Sequence, residues 1–397
     1  MFTNRISRIQ PSATLEMTSK AADLKRQNKP VYNMSVGEPD FETPKHIQRA
    51  GIYAIENGIT KYTSGSGTHE LKEAICNKLK RDNQLNFSLN QIVVSCGGKH
   101  SLYNACQALF QKNDEVIIFT PYWVSFPDFV SVTGAKPVFV KTNNANQNEP
   151  DFSDLKKKIN IKTKGIIINS PSNPTGGVWS DEAIEKTLSI LKEYPDIWIF
   201  SDECYEKLTY DVPFKSIASF DKYNSKIITF QSCSKTYAMT GWRIGYIAGD
   251  KRLVKAISKL QGQSTSCPNS IAQHAAIAAL IGDQSCVLNM NTIFQKRRNL
   301  IINELSKIDN ISCEVPNGAF YVFPDFTNYL NSIDIKGNHI KTSSDLSLYI
   351  LDATGVVTVA GDSFGAPGYI RLSYAVDEQT IVSAISLIND ALKKLNF

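Results

Sequence analysis

Short, uninterrupted apolar runs recur along the middle of the chain. They are Ile92-Val93-Val94, Val116-Ile117-Ile118-Phe119, Ile166-Ile167-Ile168, Ile197-Trp198-Ile199-Phe200, Ile227-Ile228 and Ile244 to Ala248. Each is short, rich in β-branched and aromatic residues, and bounded by turn or polar residues, as expected of strands buried on both faces. Amphipathic segments alternate with them, such as Glu70 to Leu79 and Ser101 to Gln111. Alternating strands and helices predict an α/β fold with a mostly parallel sheet. A helical region is predicted from about Ser270 past Lys296 to Lys307, joining two domains. Further on, Ile370-Arg371-Leu372 alternates, so a strand there puts Ile370 and Leu372 on one face and Arg371 on the other.

Composition narrows the class. The chain has 397 residues, 42% hydrophobic and 20% charged, which suits a globular enzyme of two domains. A formal net charge of +5 is mild for this length and argues for no nucleic-acid partner. Lys156-Lys157-Lys158 is a short charge run and reads as a solvated helix face. The eight cysteines show no metal-like pairing and sit mostly in apolar runs, which favours a reducing, cytoplasmic compartment. No apolar run reaches membrane-spanning length, and Met1 to Gln10 lacks the apolar core of a signal peptide.

Candidate chemistry gathers where predicted strands end. Ser232-Cys233-Ser234-Lys235 follows one strand, and Gly241-Trp242-Arg243-Ile244-Gly245-Tyr246 follows shortly after. A lysine so placed can form a Schiff base with a carbonyl compound, and pyridoxal phosphate also needs a cation and hydroxyls for its phosphate. Asp202 closes another strand, where a buried acid is costly unless paired; a pyridinium N–H would be such a partner. Gly97-Gly98-Lys99 opens a helix after a strand, which makes an anion site from free N–H groups and the helix dipole. Trp123 lies just beyond a strand, where an aromatic can stack on a flat ring. Arg371 can grip a carboxylate with two parallel hydrogen bonds.

The run Ser-x-Ser-Lys then Gly-x-Arg-x-Gly-Tyr resembles the lysine motif of class I aminotransferases, fold-type I enzymes that use pyridoxal phosphate. Similar blocks occur in the family's order from about Pro11 to the C-terminus. The resemblance implies a large domain over 48–300 and a small one from 1–47 plus 301–397. It implies Lys235 as Schiff-base lysine and proton shuttle, Asp202 at the ring nitrogen, and Asn173 and Tyr205 at the ring oxygen. Trp123 would stack on the ring. Gly98, Lys99, Ser232 and Arg243 would hold the phosphate, with Tyr62 of a partner subunit, so a homodimer is implied. Gly37, Asn173 and Arg371 would face the substrate's α-carboxylate. The bond before Pro174 is expected to be cis.

The finer likeness is to bacterial-type aspartate aminotransferases. Their substrate's distal carboxylate meets two N-terminal hydroxyls and a lysine at the phosphate-binding glycines, matching Ser12, Thr14 and Lys99. The loop Gln261 to Pro268 lacks the arginine that animal-type enzymes carry there. The implied reaction is ping-pong transamination between aspartate or glutamate and oxaloacetate or 2-oxoglutarate. Alternatives are a broad-range aromatic or kynurenine-type aminotransferase, another pyridoxal-phosphate reaction on the same scaffold, or a ligand-sensing regulator.

Overall fold

A computed structural model describes residues 3–9, 13–28, 30–143, 147–220 and 226–397. Its centre is an eight-stranded sheet. From edge to edge the strands are Ile92–Ser95, Gly245–Ala248, Lys226–Ser232, Trp198–Asp202, Thr163–Asn169, Glu115–Thr120, Lys136–Asn143 and Glu149–Pro150. The inner strands run parallel, and Gly245–Ala248 and Glu149–Pro150 run against their neighbours.

The continuous apolar runs follow from burial on both faces. Ile166 and Ile168 pack with Leu188 of helix Asp181–Leu191, while Ile167 packs on the opposite face with Leu102, Phe200 and Ile257. Each such buried side chain contributes about 2 kcal/mol through removal from water. Helices His69–Asn83 and Ser270–Ile281 cover the Ile92–Ser95 edge through Leu71, Ile75, Ala275 and Ala279.

A second apolar core forms around Phe320, Tyr321, Ile370, Leu372, Ile381 and Ile385. Strand Ile370–Ser373 lies between Tyr321–Val322 and Val359–Ala360, antiparallel to both. Ile370 and Leu372 enter this core, and Arg371 leaves it for the space between the two cores.

The expected continuous helix from Ser270 to Lys307 is two helices, Ser270–Ile281 and Ser285–Leu305, bent by 81°. Gly282 leaves the helix in an extended conformation. Gln284 Nε2 then takes the freed carbonyls of Ala279 and Gly282 at 3.0 and 2.8 Å. Asp283 accepts the Ser285 N–H at 3.0 Å and starts the next helix. Gln261, read as the start of a polar loop, is the buried end of helix Lys251–Gly262, donating to Gly65 O and Val94 O.

The Asn173-Pro174 bond is cis, as are Thr120-Pro121 and Ser170-Pro171. Among the described residues no single helix is long and apolar enough to cross a membrane.

Candidate active site

The parallel strands all deliver their last residues to one side, where a cavity of about 290 Å³ lies between the two cores. Lys226–Ser232 runs directly into the short helix Cys233–Thr236, which carries Lys235. Ser232 caps that helix by accepting the Ser234 N–H at 3.1 Å, and its hydroxyl also reaches Ser234 Oγ and Ile244 O. Lys235 Nζ donates to the Gly37 carbonyl. Burial pushes its ammonium below the usual lysine range.

Gly37 is brought there by the segment 35–41. Arg297 anchors that segment with two bonds to the Asp40 carboxylate, 2.7 and 2.9 Å, and its guanidinium lies over Phe41.

Asp202 ends its strand with 6% exposure. Its Oδ1 accepts the Cys204 N–H at 3.2 Å, and no helix begins after it, so it is not a helix cap. Among the described residues no cation lies at ion-pair distance from it. Burial pushes its carboxyl up to about 7.

Asn173 is fixed through its N–H, which donates to Asn169 Oδ1 at 2.8 Å; Asn169 in turn donates to Asp202 O at 3.1 Å. Arg371, 2% exposed, donates to Asn173 Oδ1 at 2.9 Å and to Ser35 O at 2.8 Å. Its Nε is buried without a partner, and among the described residues no carboxylate pairs with it. Its guanidinium lies over the Tyr321 ring, 4.4 Å from the centroid.

At the far end of the cavity, helix Gly98–Leu109 presents its N-terminus. Gly97 precedes it at φ 92°, where a Cβ would strike the Arg243 guanidinium. A Cβ at Gly245 would strike the Gly98 backbone, so these glycines allow the strand, helix end and arginine to converge. Lys99 Nζ sits 4.9 Å from the centre of the Trp123 ring. Two cations and free helix N–H groups therefore gather without an acid among the cavity's residues at that end.

Eleven of the residues singled out from sequence line this one cavity: Gly37, Gly98, Lys99, Trp123, Asn173, Asp202, Tyr205, Ser232, Lys235, Arg243 and Arg371. Tyr62 does not; it is 90% exposed in the single chain. Ser12 and the Thr14 side chain lie outside the described residues. Sequence reasoning missed Tyr321 and Asn169. Tyr321 shares a 3.0 Å hydroxyl contact with Tyr205 and carries Arg371 on its ring. Its only sequence signal was its place in the apolar run Ala319 to Phe323.

The family model "Aminotransferase class I and II" matches residues 29–388. The chain belongs to this family. Among curated aminotransferases, it is 42% identical to an aspartate/prephenate aminotransferase of Nitrosomonas europaea, over 98% of this chain and 99% of that one. It is 40% identical to an aspartate aminotransferase of Rhizobium meliloti, over 99% and 96%. Among solved structures, an aspartate aminotransferase from Rhizobium meliloti superposes with a TM-score of 0.96 at 39% identity, covering all of both chains. One from Thermus thermophilus, solved with maleate, superposes with a TM-score of 0.91 at 34% identity, over 98% and 99%. The expected fold, a mostly parallel sheet of the fold-type I kind beside a smaller α+β unit, is thus the observed one.

Proposed function

We propose that this aminotransferase uses pyridoxal phosphate to exchange the amino group of L-aspartate or L-glutamate with oxaloacetate or 2-oxoglutarate. One observation carries the reading. A half-buried lysine, a buried acid and a buried arginine meet in a single cavity, the acid with no cation at ion-pair distance and the arginine with only neutral acceptors among the described residues. Each charge is costly as it stands and each matches one part of such a ligand.

The residues fit the cofactor. Asp202, with no cation at ion-pair distance among the described residues, suits a ring N–H. The helix N-terminus at Gly98, with Ser232, Lys99 and Arg243, suits a phosphate. Tyr205 and Asn173 suit the ring oxygen, and Trp123 the ring face. When bound, pyridoxal phosphate supplies an electrophilic carbon for the amino group and a conjugated ring that accepts electrons released at Cα.

Arg371 and Asn173 hold the α-carboxylate, and Gly37 borders it. Lys235, whose neutral amine is favoured by burial, takes the Cα proton and returns it elsewhere as general base and acid. The lysine's release from Gly37 O leaves that carbonyl open to the incoming substrate. Tyr321 holds the Arg371 plane in place from below. Because the amino group is parked between half-reactions, steady-state kinetics are ping-pong.

The acidic donor is supported by the names of the relatives and by maleate, a dicarboxylate, in the Thermus thermophilus protein. Within this chain Lys99, Ser12 and Thr14 are the proposed distal-carboxylate residues. A homodimer is part of the reading, and the exposure of Tyr62 supports a role in a partner's site. So is the division into 48–300 and 1–47 plus 301–397, supported by the separate cores around the sheet and around Phe320. A reducing, cytoplasmic setting accords with eight free cysteines. A panel of amino donors against 2-oxoglutarate tests the assignment. Aspartate and glutamate should lead, and a panel led by phenylalanine or kynurenine would overturn the acidic specificity.

A further inference from the structure

Directly behind Asp202 the chain buries a second set of charges that the mechanism above does not use. Lys78, 2% exposed, donates from Nζ to Asn83 Oδ1 at 2.8 Å, to Gln231 Oε1 at 2.7 Å and to Glu206 Oε1. Glu206 Oε2 accepts from Asn83 Nδ2 and Gln231 Nε2 at 2.8 and 3.1 Å. Gln231 Nε2 also donates to Glu203 Oε2 at 3.0 Å, and Tyr246 donates to Gln231 Oε1 at 2.9 Å. Glu203 Oε1 accepts the hydroxyls of Ser201 and Ser216 at 2.8 and 2.7 Å.

Two carboxylates thus share one cation, and the cation sits on Glu206. Among the described residues Glu203, 1% exposed, is held by neutral donors alone. Its backbone continues the strand by donating to Phe230 O at 2.9 Å, so its position relative to Asp202 is fixed. Purely structural needs would be met by a glutamine at this place. A carboxylate there costs desolvation and requires a beneficiary.

We propose that Glu203 is a positioning residue for Asp202, its surplus buried charge keeping Asp202 and the protonated ring nitrogen opposite it together as a pair. The inference rests on the cofactor reading above. Burial, with Glu206 adding to it, lifts Glu203 to about 7 even though Ser216, Gln231 and Ser201 pull it down. Burial also lifts Asp202 to about 7, and the Glu203 charge adds to that rise. The charged and titratable groups around Glu203 are Lys78 from helix His69–Asn83, Glu206 from its own turn, Tyr246 across the sheet, and Asp202 with Lys235 beyond it. A cation arriving at Asp202 relieves both acids at once.

The test compares wild type, Glu203→Gln and Glu203→Asp. The first keeps shape and loses charge; its amide can face Ser201 and Ser216, whose hydroxyls can accept, so it should fold. The second keeps charge and loses shape. Each protein is loaded with pyridoxal phosphate, and the absorbance of the bound chromophore is titrated with pH. Removing a nearby unit charge should move the Glu203→Gln midpoint down by about one pH unit. Glu203→Asp should stay near wild type. A second readout needs no cofactor: melting temperature against pH. With its acid lifted to about 7 in the fold, cofactor-free wild type should lose stability relative to Glu203→Gln as pH rises from about 4.5 through 7. An unmoved midpoint, or a melting difference constant in pH, would overturn the proposal and leave a structural hydrogen bond. Failure of wild type to bind the chromophore at Lys235 would instead overturn the cofactor reading.

Discussion

Arg371 Nη1 donates to Asn173 Oδ1 at 2.9 Å, joining a strand beside one core to a turn beside the other. The arginine is nearly fully buried and its other acceptor is the Ser35 carbonyl. Burial lowers its proton affinity, while nearby Tyr321 and Tyr205 favour the charge. A buried guanidinium whose acceptors among the described residues are neutral oxygens suits the carboxylate-binding role proposed above. Arg371→Lys should therefore lower kcat/KM for every amino donor by about 10²-fold, because a point charge cannot reproduce the planar fork. Steady-state kinetics over several donors checks it; a loss confined to aspartate would place Arg371 at the distal carboxylate instead.

The proposed function puts covalent attachment at Lys235. Borohydride reduction of the loaded protein followed by peptide mapping should find the pyridoxyl group there and on no other lysine. Lys235→Ala should lower turnover on the order of 10⁴-fold and still bind the cofactor noncovalently.

Asp202 makes a prediction in each state of the protein. With cofactor, Asp202→Ala should cost more than about tenfold in kcat, or about 1.4 kcal/mol, with a smaller effect on cofactor affinity. Without cofactor the sign reverses for stability. The folded carboxyl is lifted to about 7, so wild type loses stability as pH rises from the ordinary acid range through 7. Asp202→Asn escapes that loss, and thermal melts at pH 8 should show cofactor-free Asp202→Asn as the more stable protein, by a few kcal/mol at most.

Lys99 is the residue on which the proposed acidic specificity can be tested. It lies at the positive end of its own helix, an unfavourable place for a cation, beside Trp123. Lys99→Met should lower kcat/KM for aspartate by about tenfold or more, and for alanine or phenylalanine by much less. Equal losses for all donors would assign the lysine to the phosphate alone.

Much of this protein was legible in the chain itself. Short β-branched runs such as Ile166-Ile167-Ile168, bounded by turn residues, read as strands covered on both faces, so the parallel sheet follows from local pattern. Lys235, Asp202, Asn173 and Gly98 could be read because each lies in a short contiguous block next to a strand end, where the sheet's topology gathers side chains. Contacts between distant segments could not be read. Tyr321 enters the site only because strand pairing sets it opposite Ser373, in the layer that carries Arg371. The break at Gly282 was hidden because helix-forming sequence continues on both sides of it, and the bonds made by Gln284 and Asp283 outweigh continuity. The joining of Lys78, Glu203 and Gln231 needed three elements to pack before any of them had a partner. Local periodicity is a property of neighbours in sequence. Which buried charges are balanced, and which are left open for a ligand, is decided only when the fold closes over them.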